Sequence, residues 1–307
     1  MARWSSVRHV RCEAHRTGTV GSTSRSCWDQ VVLARRGEAA GRPEGLMREN
    51  TAKRKMLAGQ PAFGYTLQLG APLVAEALAN CGIDFILIDT QHGTFGSDTL
   101  IATLMALSCG RAVPMARVAR NDYTLIGRLL DDGVLGIVVP LIHTQEDAQA
   151  VAEACRFPPR GKRSWGWGRA RVYGSDYPEW IDEELFVAVQ IESAQAVENA
   201  EAILSVPGID GCWIGPGDLA LSLGIDPRRA AEDERQERAI ERVLEACRKT
   251  GKIAGYAAYS VDDALRRAAQ GFHFVTAGSD IGFLVQGALT GVERLGLAAQ
   301  VGRGYGE

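Results

Sequence analysis

No stretch of this 307-residue sequence stays apolar for the roughly 20 residues a membrane span needs, so no transmembrane segment is expected. No G-x-G-x-x-G follows the first expected strand and no Walker A sequence occurs, so nothing supports nucleotide binding. An excess of charge is missing too: 34 Lys and Arg against 37 Asp and Glu leave a net −3. That balance gives no bulk attraction to nucleic acid or to an anionic membrane. The seven cysteines (Cys12, Cys27, Cys81, Cys109, Cys155, Cys212 and Cys247) are odd in number and include no CxxC pair. They read as free thiols in a reducing compartment, which points to the cytoplasm.

The first 46 residues differ from the rest. They carry eight Arg, no Lys and four acids (Glu13, Asp29, Glu38, Glu44), with many Ser, Gly and Thr and no apolar periodicity. A transit peptide is poor in acids, and no secretory apolar core is present. The expectation is a disordered or spuriously translated extension over residues 1–46, with the true start at Met47. Residues 47–307 then form the folded domain.

From Met56 onward short apolar runs alternate with helix-like patterns. Strands are expected at Phe63–Leu69, Phe85–Asp89, Ala112–Val118, Gly136–Ile142, Phe186–Ile191, Gly211–Ile214, Lys252–Ala257 and Phe272–Ala277. Helices are expected between them. Ser97, Asp122 and Thr144 are placed to cap three of them, and Gly133 and Gly251 to end two. Ala239–Lys249 is the plainest amphipathic stretch, and a last apolar helix runs from about Ile281 to Leu297. Eight such units in about 245 residues fit an α/β fold of the (β/α)8 TIM-barrel type; a doubly wound open sheet is the alternative.

Ligands of such sheets gather at the carboxyl ends of the strands. Two successive apolar runs, VAVQIES and IDGCWIGPGD, deliver Glu192 and Asp218 there. Each acid alone could be a strand or helix cap. Together they suit a divalent cation such as Mg²⁺, which protein sites hold through one or two carboxylates plus water and substrate oxygens. The same end collects Asp89, His92, Arg117 and Gln190. A zinc site from His92, His143 and His273 is possible on paper, without the short spacing zinc motifs show.

The segments FILIDTQHG, RVARNDYTLIGRLLDDG, FPPRGKRSWG, VQIES and IGPGDLALSLG resemble the HpcH/HpaI aldolase family, in order and spacing, from about Met56 to Leu297. These are metal-dependent (class II) pyruvate aldolases of the phosphoenolpyruvate/pyruvate barrel superfamily. The resemblance implies Glu192 and Asp218 as ligands of Mg²⁺, Mn²⁺ or Co²⁺, and Gln190 and the backbone of Gly217 as substrate contacts. It implies Arg117 as the group that stabilises developing enolate charge, His92 as the base, and Asp131 as the carboxylate that raises the basicity of His92. Asp89, three residues before His92, competes with Asp131 for that role or orients a cation-bound water. Gln91 stands where many members carry Glu. The implied reaction is reversible cleavage of a 4-hydroxy-2-oxo acid to pyruvate and an aldehyde, with no Schiff-base lysine; Lys162, Lys249 and Lys252 do not follow strands. A homohexamer built from dimers, with the last helix exchanged, is also implied. A citrate-lyase-like or malyl-CoA-like lyase and a non-catalytic binding barrel are the alternatives.

The loop Arg160–Tyr177 mixes Arg163, Arg169 and Arg171 with Trp165, Trp167 and Tyr173. It is long enough to reach an active-site mouth, its own or a neighbour's, where Arg163 would bind aldehydes bearing a carboxylate.

Overall fold

A computed structural model describes residues 49–297. The expected boundary after residue 46, and the extension before it, lie outside the described residues.

Eight parallel strands close into a barrel in chain order: β1 (Ala62–Leu67), β2 (Phe85–Asp89), β3 (Val113–Arg117), β4 (Gly136–Val139), β5 (Phe186–Ile191), β6 (Gly211–Ile214), β7 (Gly255–Ala258) and β8 (Phe274–Ser279). β2 to β6 are buried along their whole length, because helices cover one face and the barrel interior the other. Phe85, Phe186 and Phe274 each open a strand. Their rings meet inside the lower barrel, with centroids 4.7 and 4.9 Å apart. Gly64 makes room for this layer: a Cβ there would lie 2.2 Å from the Phe85 ring.

A helix that the strand–helix pattern does not foretell, α1 (Thr51–Leu57), lies at the amino-terminal end of the strands. Asn50 caps it by accepting from Lys53 N–H and donates its own amide to the Leu135 carbonyl, just before β4. Lys53 Nζ donates to Leu185 O, just before β5, and pairs with Asp210, just before β6, at 3.3 Å. The opposite end is left for ligands.

The helices between strands are α2 (Pro72–Ala79), α3 (Ser97–Leu107), α4 (Tyr123–Asp132), α5 (Gln145–Cys155), α6 (Tyr177–Glu184), α7 (Ala194–Glu198), α8 (Ala200–Leu204), α9 (Pro216–Ser222), α10 (Glu234–Thr250) and α11 (Val261–Gln270); α12 (Asp280–Arg294) follows β8. Asp122 caps α4 by accepting from Thr124 and Leu125 N–H, and Gly133 and Gly251 end their helices in left-handed conformations. Thr144 opens α5 in a reciprocal capping box with Asp147. Ser97 is the first helical residue and Gly96 holds the cap position, which corrects the expected cap. β4 stops at Val139, three residues early, because Pro140 has no N–H to donate and Leu141 turns the chain with φ 59°.

Candidate active site

β2 and β3 run in register, with Asp89 opposite Arg117 at their carboxyl ends. Asp89 is fully buried, and its carboxylate accepts from Arg117 Nε at 3.0 Å and Nη2 at 2.5 Å. The N–H groups of Gln91 and His92 also donate to Asp89 Oδ1, at 3.0 and 3.2 Å. Burial works to raise the Asp89 pKa. The hydrogen bond and charge of Arg117 and the two N–H groups outweigh it, so the carboxyl sits below its usual range. Arg117 also lies over the Trp213 ring, 5.4 Å from its centroid. Its guanidinium is therefore fixed in direction before any ligand arrives.

β5 and β6 deliver the second half, with Gln190 opposite Trp213. Glu192 Oε1 accepts from Leu141 N–H at 2.8 Å, and Oε2 accepts from Gln190 Nε2 at 2.5 Å. Gly215 must lack a side chain, since a Cβ would lie 2.6 Å from Gln190 Nε2 and 2.9 Å from Glu192 Oε2. Asp218 stands in the first turn of α9, beside Glu192. Burial first, with Asp218 adding to it and the Leu141 N–H and Arg117 opposing, holds the Glu192 carboxyl up at about 7. Among the described residues no three His, Cys, Asp or Glu cluster as metal ligands. Two facing carboxylates, one resisting ionisation until a counter-charge comes, still fit a hard divalent cation that takes its other ligands from water and substrate. The buried Gln190 Oε1 and Trp213 Nε1 have no hydrogen-bond partner in the protein.

Three residues of this site escape the strand-end reading, one each from β4, β6 and β7 or the turns that follow them. Leu141 supplies the amide on Glu192, and Trp213 supports Arg117. Tyr259, just past β7, turns its hydroxyl toward the backbone of Gly217: a Cβ on Gly217 would meet it at 3.2 Å. Burial, then Asp218 and Asp263, hold that phenol above its ordinary value, against the Gly217 N–H and Arg117. Reading the residues after β7 as well finds Tyr259.

Asp131 and Arg163 lie elsewhere. α4 begins above β3 and runs back down the barrel, so Asp131 near its end is far from the strand ends. Its Oδ1 accepts from Arg163 Nη2 at 2.8 Å, and within the chain it makes no bond to His92. Arg163 is only 2% exposed, stacked 4.5 Å over Phe157 and bonded to the Tyr177 hydroxyl at 3.3 Å. Arg163 therefore does not reach the active-site mouth of its own chain. Arg169 pins the same loop to Leu104 O, Ser108 Oγ and Asp132 O, at the carboxyl ends of α3 and α4. The zinc trio is not assembled either: His143 bonds Ser193 Oγ, and His273 precedes β8 at the other end of the barrel from His92.

The model of the HpcH/HpaI aldolase/citrate lyase family matches residues 64–287. A hydroxypyruvate/pyruvate aldolase of Rhizorhabdus wittichii is 40% identical over 227 residues, which is 74% of this chain and 90% of that one. A 4-hydroxy-2-oxovalerate aldolase of Rhodococcus jostii is 38% identical, covering 77% of this chain and 92% of that one. The crystal structure of an HpcH/HpaI aldolase/citrate lyase family protein from Burkholderia cenocepacia superposes with a TM-score of 0.75 at 31% identity, over 80% of this chain and 99% of that one. The chain belongs to the HpcH/HpaI aldolase/citrate lyase family, and it is a carbon–carbon lyase.

Proposed function

We propose that this chain is a divalent-cation-dependent aldolase that reversibly cleaves a 4-hydroxy-2-oxo acid, such as 4-hydroxy-2-oxoheptanedioate or a 2-dehydro-3-deoxy sugar acid, to pyruvate and an aldehyde. The observation that carries it is the paired carboxyl groups of Glu192 and Asp218 within the field of an arginine already fixed by Asp89. The names of the two aldolase relatives support the same chemistry.

Glu192 and Asp218 would hold Mg²⁺, Mn²⁺ or Co²⁺. When bound, the cation supplies Lewis-acid polarisation of the 2-oxo acid. Arg117 brings a fixed positive charge to the oxo oxygen, where negative charge grows as the carbon–carbon bond breaks. The Asp89 clamp keeps that charge from swinging toward Glu192. The Gly217 N–H would donate to the acid's carboxylate, and Gln190 Oε1, left without a partner, would accept from a substrate hydroxyl. His92 would take the 4-hydroxyl proton at a ring nitrogen as the carbon–carbon bond breaks and the aldehyde forms, and return a proton to the enolate carbon that becomes the pyruvate methyl. Its turn is fixed by its own N–H on Asp89.

The protein is further proposed to work as a homo-oligomer. Of the α12 residues only Asp280 is buried, while the apolar Phe283 and Leu284 face solvent. Among the described residues no helix is long and apolar enough to cross a membrane.

The test is pyruvate release from a panel of 4-hydroxy-2-oxo acids, with each divalent cation and with excess chelator. Turnover that needs the cation is expected. Turnover undiminished in chelator would overturn the assignment.

A further inference from the structure

Tyr259 sits at the mouth of the site in an unusual posture. Tyrosine at a surface ordinarily buries its ring and leaves the hydroxyl in water. Here the residue is 75% exposed, yet the hydroxyl turns inward to the Gly217 backbone. An exposed ring gains little from apolar burial, so the polar groups at its tip must hold it. The nearest such group is the Gly217 backbone, where an added Cβ would lie 3.2 Å from the hydroxyl, and Asp218 is the next residue in the chain. Both border the place where the substrate acid is proposed to bind. The chain position reinforces this, since Tyr259 lies between the end of β7 and the first turn of α11, on the ligand side of the barrel.

We propose that Tyr259 is a substrate-binding residue whose hydroxyl donates to the carboxylate of the 2-oxo acid lying against Gly217 and Asp218. The proposal rests on the aldolase reading for the identity of that acid. A phenol suits the position. It donates a hydrogen bond without adding a second positive charge, which would compete with a cation held by Glu192 and Asp218. A hydrogen bond to a charged acceptor is worth more than one between neutral groups. The phenol does not touch the carbon–carbon bond that breaks, so its contribution falls on binding and not on the chemical step.

The experiment compares wild type with Tyr259→Phe, which keeps the ring and deletes only the hydroxyl. Pyruvate is titrated by calorimetry into the full-length protein saturated with Mn²⁺, and aldol cleavage is followed separately. The Kd for pyruvate is expected to rise about tenfold, equivalent to about 1.4 kcal/mol. The kcat for cleavage should change less than twofold, and the melting temperature of the cation-free protein should not move. If Tyr259→Phe binds pyruvate as wild type does while cleavage proceeds, the Tyr259 role is overturned and the aldolase reading stands. If no 4-hydroxy-2-oxo acid is cleaved but pyruvate binding still weakens tenfold, the aldolase reading falls and Tyr259 remains a ligand residue. A wild-type protein that does not bind pyruvate overturns both.

Discussion

The Glu192 carboxyl cannot hold a proton and a cation with the same oxygens, and this makes it the sharpest test of the proposed centre. Burial carries its pKa from an ordinary 4.5 to about 7, with Asp218 adding and the Leu141 N–H and Arg117 opposing. At 1.36 kcal/mol for each tenfold, the rise corresponds to about 3 kcal/mol. For an acid raised in the folded state, the native protein holds the extra proton between pH 4.5 and 7. Stability of the cation-free protein should therefore fall by about 3 kcal/mol from this group as pH climbs through that window. Cation binding needs the ionised form, so it should expel the proton. With a midpoint near 7, binding should release about 0.9 proton at pH 6 and about 0.1 at pH 8, and affinity should drop about tenfold per pH unit below 7. Calorimetric titration of Mn²⁺ into chelator-stripped protein, in buffers of different ionisation enthalpy, reads the proton number directly. Glu192→Gln should lose both the release and most of the affinity. A proton number that stays constant from pH 6 to 8, or release that persists in Glu192→Gln, would refute the reasoning.

The sequence makes the two halves of the site legible for a physical reason. FILID and VPMAR are short apolar runs ending in opposite charges, and parallel strands in register bring such ends together, as Asp89 and Arg117 show. VAVQI and GCWI do the same for Gln190, Glu192 and Asp218. The burial of Arg163 is not legible, because an arginine in a polar loop looks solvated. Nothing local reveals that Phe157 and Tyr177, one before it and one after it, will pack around its guanidinium. The placement of Asp131 follows from helix geometry alone. It is the ninth residue of α4, and at about 1.5 Å per residue it ends more than 10 Å below the strand end where the helix begins. Leu141 carries no signal at all, since P-L-I-H does not show that a leucine will take a left-handed backbone.

Asp89→Asn should keep the fold's shape but lose the charge that fixes Arg117, lowering kcat about 10²-fold, as losing one preorganised donor does; steady-state kinetics showing a change under twofold would refute the clamp. Arg163→Ala should cost about 3 kcal/mol of unfolding free energy, chiefly because it empties the buried space its side chain fills over Phe157 and beside Tyr177. The ratio of kcat/KM between charged and neutral aldehydes should not move; a selective loss for acidic aldehydes at unchanged stability would restore the binding role. Leu141 offers the last test, which separates its backbone from its side chain. Its side chain is 50% exposed and its φ is 59°, while its N–H donates to Glu192 Oε1. A left-handed non-glycine residue costs about 1–2 kcal/mol, and glycine removes that strain at an entropic cost of about 0.5–1 kcal/mol. Leu141→Gly should therefore be near neutral in stability and keep full cation affinity, because the N–H stays. Leu141→Pro removes the N–H and forces φ near −65°. Glu192 then loses its donor, its carboxyl rises further, and the pH midpoint for Mn²⁺ binding should move upward. If Leu141→Gly lost cation affinity as Leu141→Pro does, the side chain and not the amide would be holding Glu192 in place.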